Sequence, residues 1–266
     1  KEYGVYTVEN RAIPEMHDGL KPVQRRVLWA AHKLGFKSSG TTYKTARLSG
    51  DVIGKYHPHG SINVDDAINN MIEGTPCPLL HGQGNFGSYT NSAPAAAARY
   101  TEVKLNKVSE SLLLDPYYLK VVPLVVNYDG QEMEPAYLPS KLPFVLALAQ
   151  QGIAVGITVK MPSYTLKSLR DVVVAILKGE DNTKKLSKMM EFSSAYGGKV
   201  VSDDKDQHVV FTNSMSKLTW TCDYTIIDDS KMIITGLHPE WNYDNKWPKI
   251  KLMPEVASAN DLSTED

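Results

Sequence analysis

The sequence predicts an α+β fold in which helices dominate the first part of the chain and antiparallel strands the last part. Residues 22–71 contain three apolar patterns of helical period, separated by glycine-rich turns. Residues 199–235 instead contain runs that alternate between apolar and polar side chains, which is typical of half-buried strands. Short helices joined by such turns and followed by irregular strands favour a helix-turn-helix of the winged type in the first part.

The first helix is predicted for residues 22–34, because Pro22 suits a first turn and Gly35 can close the last one. Its apolar stripe consists of Val23, Val27, Ala31 and Leu34. A second helix is predicted for residues 44–56, and a third begins at Ser61 as its N-cap. The third helix has its apolar face on Val64, Ala67, Ile68 and Met71.

The later elements are predicted from breakers and alternation. Residues 79–94 are loop-like and residues 104–114 form an amphipathic helix. Two prolines within residues 138–143 indicate a boundary between domains of residues 1–136 and 137–266. The second domain is predicted to contain a strand over 152–160, a helix from the N-cap Thr165 to Gly179, strands over 207–212 and 230–234, and an uninformative tail from Asn242.

The composition is that of a globular chain with a sizeable core, since 42% of its 266 residues are hydrophobic and 22% are charged. No apolar run approaches the roughly 18 residues of a membrane-spanning helix, and no signal peptide precedes the fold. Cys77 and Cys222 lie far apart without metal-ligand spacing, which suits a reducing cytoplasm. Because no initiator methionine is present, we expect the chain to be a fragment.

The net charge of −1 hides an uneven distribution. Residues 1–60 contain ten Lys or Arg against five Asp or Glu, a net charge of +5, so the remaining residues sum to −6. A basic first part on a nearly neutral chain is compatible with a face that binds phosphates. Charge alone equally fits an ordinary basic helix surface.

One phenol stands beside one guanidinium in a segment of small residues, Ala95 to Ala98 followed by Arg99 and Tyr100. An unperturbed tyrosine hydroxyl has a pKa near ~10 and is a poor nucleophile at neutral pH. An adjacent fixed cation stabilises both a phenolate and the negative charge that develops on an attacked phosphorus. Taken alone, such a pair is more often a packing or surface feature, so the neighbouring motifs decide its meaning.

Those motifs include Lys55-Tyr56-His57-Pro58-His59-Gly60, Gly82-Gln83-Gly84-Asn85-Phe86-Gly87 and Arg99-Tyr100-Thr101-Glu102. Further matching blocks are residues 11–14, 18–28, 46–47, 50–54, 127–130 and 152–156. In this order and spacing they resemble the breakage-reunion subunit of type IIA DNA topoisomerases, the gyrase A group. The compact layout is most similar to the medium subunits of T-even-type bacteriophage topoisomerases.

The resemblance implies a winged-helix DNA-cleavage domain that carries the nucleophile Tyr100, followed by an α/β tower domain truncated before the family's coiled coil and exit gate. It implies that Tyr100 forms a transient 5′-phosphotyrosyl link to DNA, with Arg99 neutralising the phosphate, so that strands can pass. Magnesium and ATP would be held by a partner with Toprim and ATPase domains, because neither motif occurs here. The expected partners are double-stranded DNA, a second copy of this chain and that Toprim/ATPase subunit, in the cytoplasm of a bacterial or phage-infected cell and without a membrane.

The basic first part and the matching family positions predict DNA contacts by Arg11, Lys21, Arg25, Arg26, Lys44, Arg47, Lys55, His57 and His59. By pattern, Ile153 is a buried strand residue, whereas the matching isoleucine of the family wedges between base pairs and bends the DNA. Ile62 and Asp66 occupy the positions of the family's quinolone site, where bacterial members have a serine and an acid. Gln24 replaces a histidine common in those members.

Other interpretations of these motifs are weaker. Gly82, Gly84 and Gly87 match a dinucleotide fingerprint, but prolines precede them and no helix pattern follows. His57 and His59 lack further ligands at metal-site spacing, and the acidic residues 203–206 suit a solvated turn. A non-catalytic winged-helix DNA-binding protein remains the alternative function, and a tyrosine recombinase would need a different set of Arg, His and Lys residues.

Overall fold

Three helices and a three-stranded antiparallel sheet form the first part of the chain. The computed structural model describes residues 12–88, 90, 92–154, 156–201, 210, 213, 217–239 and 241–263. The helices are α1 Pro22–Lys33, α2 Thr45–Lys55 and α3 Ser61–Asn70, and the strands are β1 Tyr43–Lys44, β2 Leu80–Gln83 and β3 Glu102–Leu105. Strand β3 lies between the other two, with Tyr43 opposite Val103 and Leu80 opposite Leu105.

The three predicted helices are confirmed, with small changes at their ends. Gly35, at φ +76°, follows the end of α1, as the sequence predicts. The buried face of α1 is wider than the predicted stripe, since Leu28 and Ala30 are also buried. The prediction of Ser61 as an N-cap is wrong by one residue, because Gly60 occupies that position and Ser61 is already helical.

The predicted helix over residues 104–114 is shorter than expected. Its first residues belong to β3, where Val103 and Leu105 alternate inward, and α4 is Lys107–Leu112. The side chain of Asn106 accepts a hydrogen bond from the amide of Val108 and so fixes the true start of α4. The next elements are α5 Pro116–Leu119, β4 Leu124–Val126, β5 Met133–Pro135 and a 3-10 turn over Phe144–Leu146.

The rest of the described chain consists of short strand pairs and three helices. Strands β6 Gln151–Ala154 and β7 Ile157–Lys160 form a hairpin that turns at Gly156, at φ +79°, so the prediction of one continuous strand is wrong. The remaining elements are β8 Ser163–Tyr164, α6 Leu166–Leu177, α7 Thr183–Met189, β9 Phe192–Ser193, β10 Lys199–Val200, β11 Trp220–Thr221, β12 Asp223–Asp228, β13 Lys231–Gly236 and α8 Tyr243–Lys251.

Several predictions for this part have a clear outcome. The side chain of Thr165 caps α6 as expected, and the strand predicted over 230–234 is β13, paired with β12. Helix α8 was missed, although Asn242 caps it through the amide of Asn245. The strand predicted over 207–212 and the turn at Asp203, Asp204 and Asp206 lie outside the described residues. The predicted α+β class is confirmed.

Asp18 is the buried charge on which the packing of α1 depends. Its carboxylate accepts hydrogen bonds from the Arg25 side chain at 2.6 and 3.1 Å and from the amides of Leu20 and Leu138 at 3.0 and 2.8 Å. These partners all lie inside the protein, and Asp18 is fully buried. Through Asp18, the ion pair therefore connects α1 to Leu138, more than a hundred positions later in the chain.

We expect Asp18→Ala to lower the free energy of unfolding by about 3–5 kcal/mol, because it leaves the buried Arg25 guanidinium without its counter-charge. Glu180→Ala is the matched control, since Glu180 pairs with Lys185 at the surface. Its loss should have a far smaller effect, because exposed ion pairs contribute little to stability. Urea denaturation of the two variants measures the difference, and equal losses would contradict this role of Asp18.

Candidate active site

Tyr100 and Arg99 lie together on the surface, in a turn that leads directly into β3. The amide of Tyr100 donates to the carbonyl of Ala97 at 2.8 Å, and the Tyr100 side chain is 65% exposed. The Arg99 guanidinium carbon lies 4.6 Å from the centre of the phenol ring. Within the described part of the chain, neither the hydroxyl nor the guanidinium has a hydrogen-bond or ion-pair partner. Both groups can therefore meet an external ligand.

The start of α2 holds this turn in place from both sides of Tyr100. The amides of Thr45 and Ala46 donate to the carbonyls of Thr101 and Ala98 at 3.0 and 3.1 Å. The buried Thr101 hydroxyl donates to the Thr45 hydroxyl at 2.8 Å. The first amides of a helix have no partner within the helix, so these bonds satisfy them. They also fix the backbone on both sides of Tyr100 relative to α2.

The glycine-rich loop after β2 packs beside the same turn. The amide of Ala96 donates to the carbonyl of Asn85 at 3.0 Å, and Asn85 Oδ1 accepts from the amide of Gly87 at 2.8 Å. Gly84, at φ +107°, lies against Thr101, and a side chain there would be strained. No helix follows β2 in the described stretch before β3, so a dinucleotide site is excluded there.

Two predicted DNA contacts, Lys44 and Arg47, are exposed at the start of α2. Lys44 is directly opposite Glu102 in the sheet and forms an ion pair with it at 3.0 Å. The Arg47 guanidinium stacks on Tyr43, 5.1 Å from the ring centre. The pairing of β1 with β3 therefore brings Lys44 and Arg47 to the edge of the Tyr100 turn, where they can contribute to a positive surface.

Three other predicted contacts have partners of their own or lie outside the described chain. Lys55 pairs with Asp51 at 2.7 Å, and this hydrogen bond raises the pKa of the Lys55 ammonium. Lys21 donates to the carbonyl of Gln151 at 2.6 Å, and burial lowers the pKa of its ammonium. Arg11 lies outside the described residues.

Arg25 and Arg26 serve internal contacts rather than the surface. Arg25 is buried in the ion pair with Asp18. Arg26 binds both carboxylate oxygens of Glu134, at 2.7 and 2.8 Å, and its third nitrogen lies 2.9 Å from Nδ1 of His57. His57 is itself mostly buried. We therefore leave Arg25, Arg26 and His57 out of the direct DNA contacts. The sequence could not show this for Arg26, because no local pattern indicates that it pairs with Glu134.

Ile153 is 69% exposed, so its interpretation as a buried strand residue is wrong. It lies on β6 next to the hairpin turn, opposite Thr158. The hairpin base is fixed by close packing, since a side-chain carbon on Gly152 would come within 2.1 Å of the Ala12 carbonyl oxygen. Gly152 therefore anchors the hairpin while Ile153 projects an apolar side chain into solvent.

Ile62 and Asp66 lie one turn apart on α3, and both are exposed, with Ile62 at 74%. The aliphatic side chain of Ile62 offers no hydrogen-bonding group at this surface. In the described residues no helix is long and apolar enough to cross a membrane. No group of three potential metal ligands occurs among these residues either.

We expect Ile153→Ala to change the free energy of unfolding by no more than about 0.5 kcal/mol, because the side chain is exposed. Phe144→Ala, at a fully buried position, serves as the control and should cost about 3–5 kcal/mol. Urea denaturation of both variants measures these values. Truncating a buried isoleucine to alanine costs about 2–5 kcal/mol. A loss of about 2 kcal/mol or more for Ile153→Ala would therefore mean that Ile153 is a core residue.

Known proteins provide an independent comparison. Residues 11–260 match the family of the A subunits of DNA gyrase and topoisomerase IV. The DNA gyrase A subunit of Treponema pallidum is 31% identical over 99% of this chain and 34% of its own length. The DNA topoisomerase 4 A subunit of Neisseria gonorrhoeae is 35% identical over 91% of this chain and 32% of its own length. For the chloroplastic/mitochondrial DNA gyrase A subunit of Arabidopsis thaliana, the identity is 40% over 73% of this chain and 20% of that protein.

The chain thus spans between a fifth and about a third of the length of these relatives. The family match nevertheless covers nearly the whole chain and includes both the Arg99–Tyr100 turn and the Ile153 hairpin. The chain belongs to the family formed by the A subunits of DNA gyrase and topoisomerase IV.

Proposed function

We propose that this chain supplies the nucleophilic tyrosine of a type II DNA topoisomerase, which breaks and rejoins DNA to change its topology. The observation that carries the proposal is the exposed Arg99–Tyr100 turn, held against the first turn of α2. A phenol beside a guanidinium suits attack on an anionic phosphodiester. Family membership supports the same activity.

The proposed reaction is a reversible transesterification. Tyr100 Oη forms a bond to a backbone phosphorus as the bond from that phosphorus to the 3′ oxygen breaks. The phenol gives up its proton and the departing 3′ oxygen gains one, so that one phosphodiester replaces another. The reverse attack by the 3′-hydroxyl rejoins the strand and restores the phenol. Because the link retains the ester, religation needs no added energy source.

The charges of the site support the transition state in this proposal. The Arg99 guanidinium lies over the phenol ring, and preorganised charge at a developing oxyanion contributes about 3–4 kcal/mol. Lys44, Arg47 and the exposed His59 would bind neighbouring phosphates and set the register of the duplex. Lys21 and Lys55 stay candidate contacts, although each already has a partner.

Ile153 would act as an apolar wedge in the same DNA. Wedges that enter a base step kink the duplex and cost a few kcal/mol of unstacking. An exposed isoleucine on an anchored two-stranded hairpin has the reach and the rigidity for this role. The bent DNA would then lie across both proposed domains, a winged-helix domain of residues 1–136 and a tower domain of residues 137–266.

The groups at the surface of this turn fit a phosphate and do not fit a metal ion, because they are a phenol and a guanidinium. We therefore assign magnesium and ATP to a partner that carries Toprim and ATPase domains, which the family resemblance implies, and derive no step through them. A second copy of this chain would cut the opposite strand, in a cytoplasmic complex. A non-catalytic DNA-binding role would leave the exposed Arg99–Tyr100 pair without a purpose.

We expect Tyr100→Phe to abolish covalent DNA adducts in the complex with the Toprim/ATPase subunit, because only the attacking oxygen is lost. Binding of duplex DNA should change by less than about threefold, since a single exposed hydroxyl contributes little. Tyr117→Phe, at a similarly exposed tyrosine, is the matched control and should cleave normally. Persistent adducts with Tyr100→Phe would show that another residue is the nucleophile.

We expect Arg99→Ala to slow cleavage by about 10²–10³-fold, the usual cost of removing one preorganised donor from an oxyanion. Arg170→Ala provides the control, because Arg170 is also exposed but pairs with Asp171 on α6. Single-turnover cleavage of a suicide substrate measures both rates. A near-normal rate for Arg99→Ala would assign the neutralising charge to another residue.

A further inference from the structure

We propose that Glu134 is a positioning residue for His59, acting through Arg26 and His57. The inference rests on the proposed function, in which His59 binds a phosphate of the DNA that Tyr100 cleaves. Glu134 is only 7% exposed and carries the same charge as DNA, so it cannot bind the duplex itself. Its effect must pass through the side chains that it holds.

The first link is a bidentate ion pair between two distant segments. Glu134 on β5 accepts from Nε and Nη2 of Arg26 on α1 at 2.7 and 2.8 Å. Two parallel bonds fix the plane of a guanidinium, and with it the direction of its remaining N–H groups. The indole of Trp29, one turn along α1, donates to the carbonyl of Met133 and keeps β5 in place.

The second link sets the proton on His57. Arg26 Nη1 lies 2.9 Å from His57 Nδ1. A guanidinium has donors and no acceptors, so Nδ1 must accept this bond. The neutral His57 ring then carries its proton on Nε2. Because Glu134 fixes the guanidinium plane, Glu134 also determines which tautomer of His57 is present.

The third link reaches the exposed His59 ring. The rings of His57 and His59 stack with centres 4.1 Å apart and planes 17° from parallel. The amide of His59 also donates to the carbonyl of His57 at 2.7 Å. One face of the His59 ring packs on the His57 ring, whose orientation Arg26 fixes. His59 itself is exposed to solvent. The chain of contacts thus runs from buried Glu134 to the surface that would face DNA.

The β4–β5 hairpin contacts the same site from a second direction. Asn127, between its strands, donates from its side chain to the carbonyl of Lys55, and Tyr128 donates to the carbonyl of Gly54 at 2.9 Å. These carbonyls end α2 just before His57. The hairpin therefore holds both the backbone that leads to His57 and, through Glu134 and Arg26, the ring of His57.

The test compares Glu134→Gln, His59→Ala and the double variant in the complete complex with its Toprim/ATPase subunit. Glutamine keeps the shape but loses the charged bidentate pair. We expect Glu134→Gln to slow cleavage about 10- to 100-fold, because small displacements of a catalytic group lower the rate by factors of this size. The Kd for DNA should change less than about threefold. Asp115→Asn, which removes the Lys141 ion pair, is the matched control and should cleave normally.

Coupling to His59 distinguishes positioning from a general structural role. If Glu134 acts through His59, the double variant should be no slower than His59→Ala alone, whereas independent effects would multiply. Multiplied losses, or an unchanged rate in Glu134→Gln, would overturn the proposal. If Glu134→Gln does not fold, Glu134→Asp, which keeps the charge but shortens the reach, should show the same coupling.

Histidine ¹⁵N spectra of this chain alone separate this proposal from the proposed function, since they need neither DNA nor cleavage. We expect His57 to be protonated on Nε2 in the parent chain and to show a mixture of tautomers in Glu134→Gln. The same single tautomer in both proteins would overturn the positioning role even if Tyr100 is the nucleophile. Adducts that persist in Tyr100→Phe would instead refute the function and leave this tautomer result standing.

Discussion

The pairing of β3 with β1 is the interaction on which the candidate site depends. It brings residues from separate parts of the chain into register, so that the Tyr100 turn meets the first turn of α2. Bonds from the amides of Thr45 and Ala46 then use helix donors that would otherwise lack partners. One arrangement thus satisfies the backbone, buries the Thr101 hydroxyl and presents the phenol beside Arg99 at the surface.

The basic residues of the first part divide into two groups with different physical roles. Arg25 and Arg26 are used inside the protein, where bidentate pairs with Asp18 and Glu134 compensate for lost hydration. Arg47 and Arg99 stay exposed and rest on aromatic rings. The internal group fixes the framework, and the exposed group is available to phosphates. A count of charges along the sequence cannot separate the two groups.

The sequence predicted α1, α2, α3 and α6 because their signals are local. Pro22, Gly35 and Thr165 act within a turn of their own positions, and the structure agrees with each. The hairpin at Ile153 was missed because the apolar run over 152–160 fits one buried strand as well as two exposed ones, and the turn at Gly156 was not recognised. Glu134 was missed for a different reason, since its partner lies 108 positions earlier in the chain. Tyr100 and Arg99 were predicted as site residues from motifs, and the family match covers the residues that form those motifs.

The most direct test of the account is to identify the residue that becomes attached to DNA. Cleavage complexes of this chain with its Toprim/ATPase subunit can be trapped by denaturation, digested with nuclease and protease, and analysed by mass spectrometry. The account predicts one peptide carrying a 5′-nucleotide on the oxygen of Tyr100. A nucleotide on any other residue, or a link through a 3′ phosphate, would contradict it.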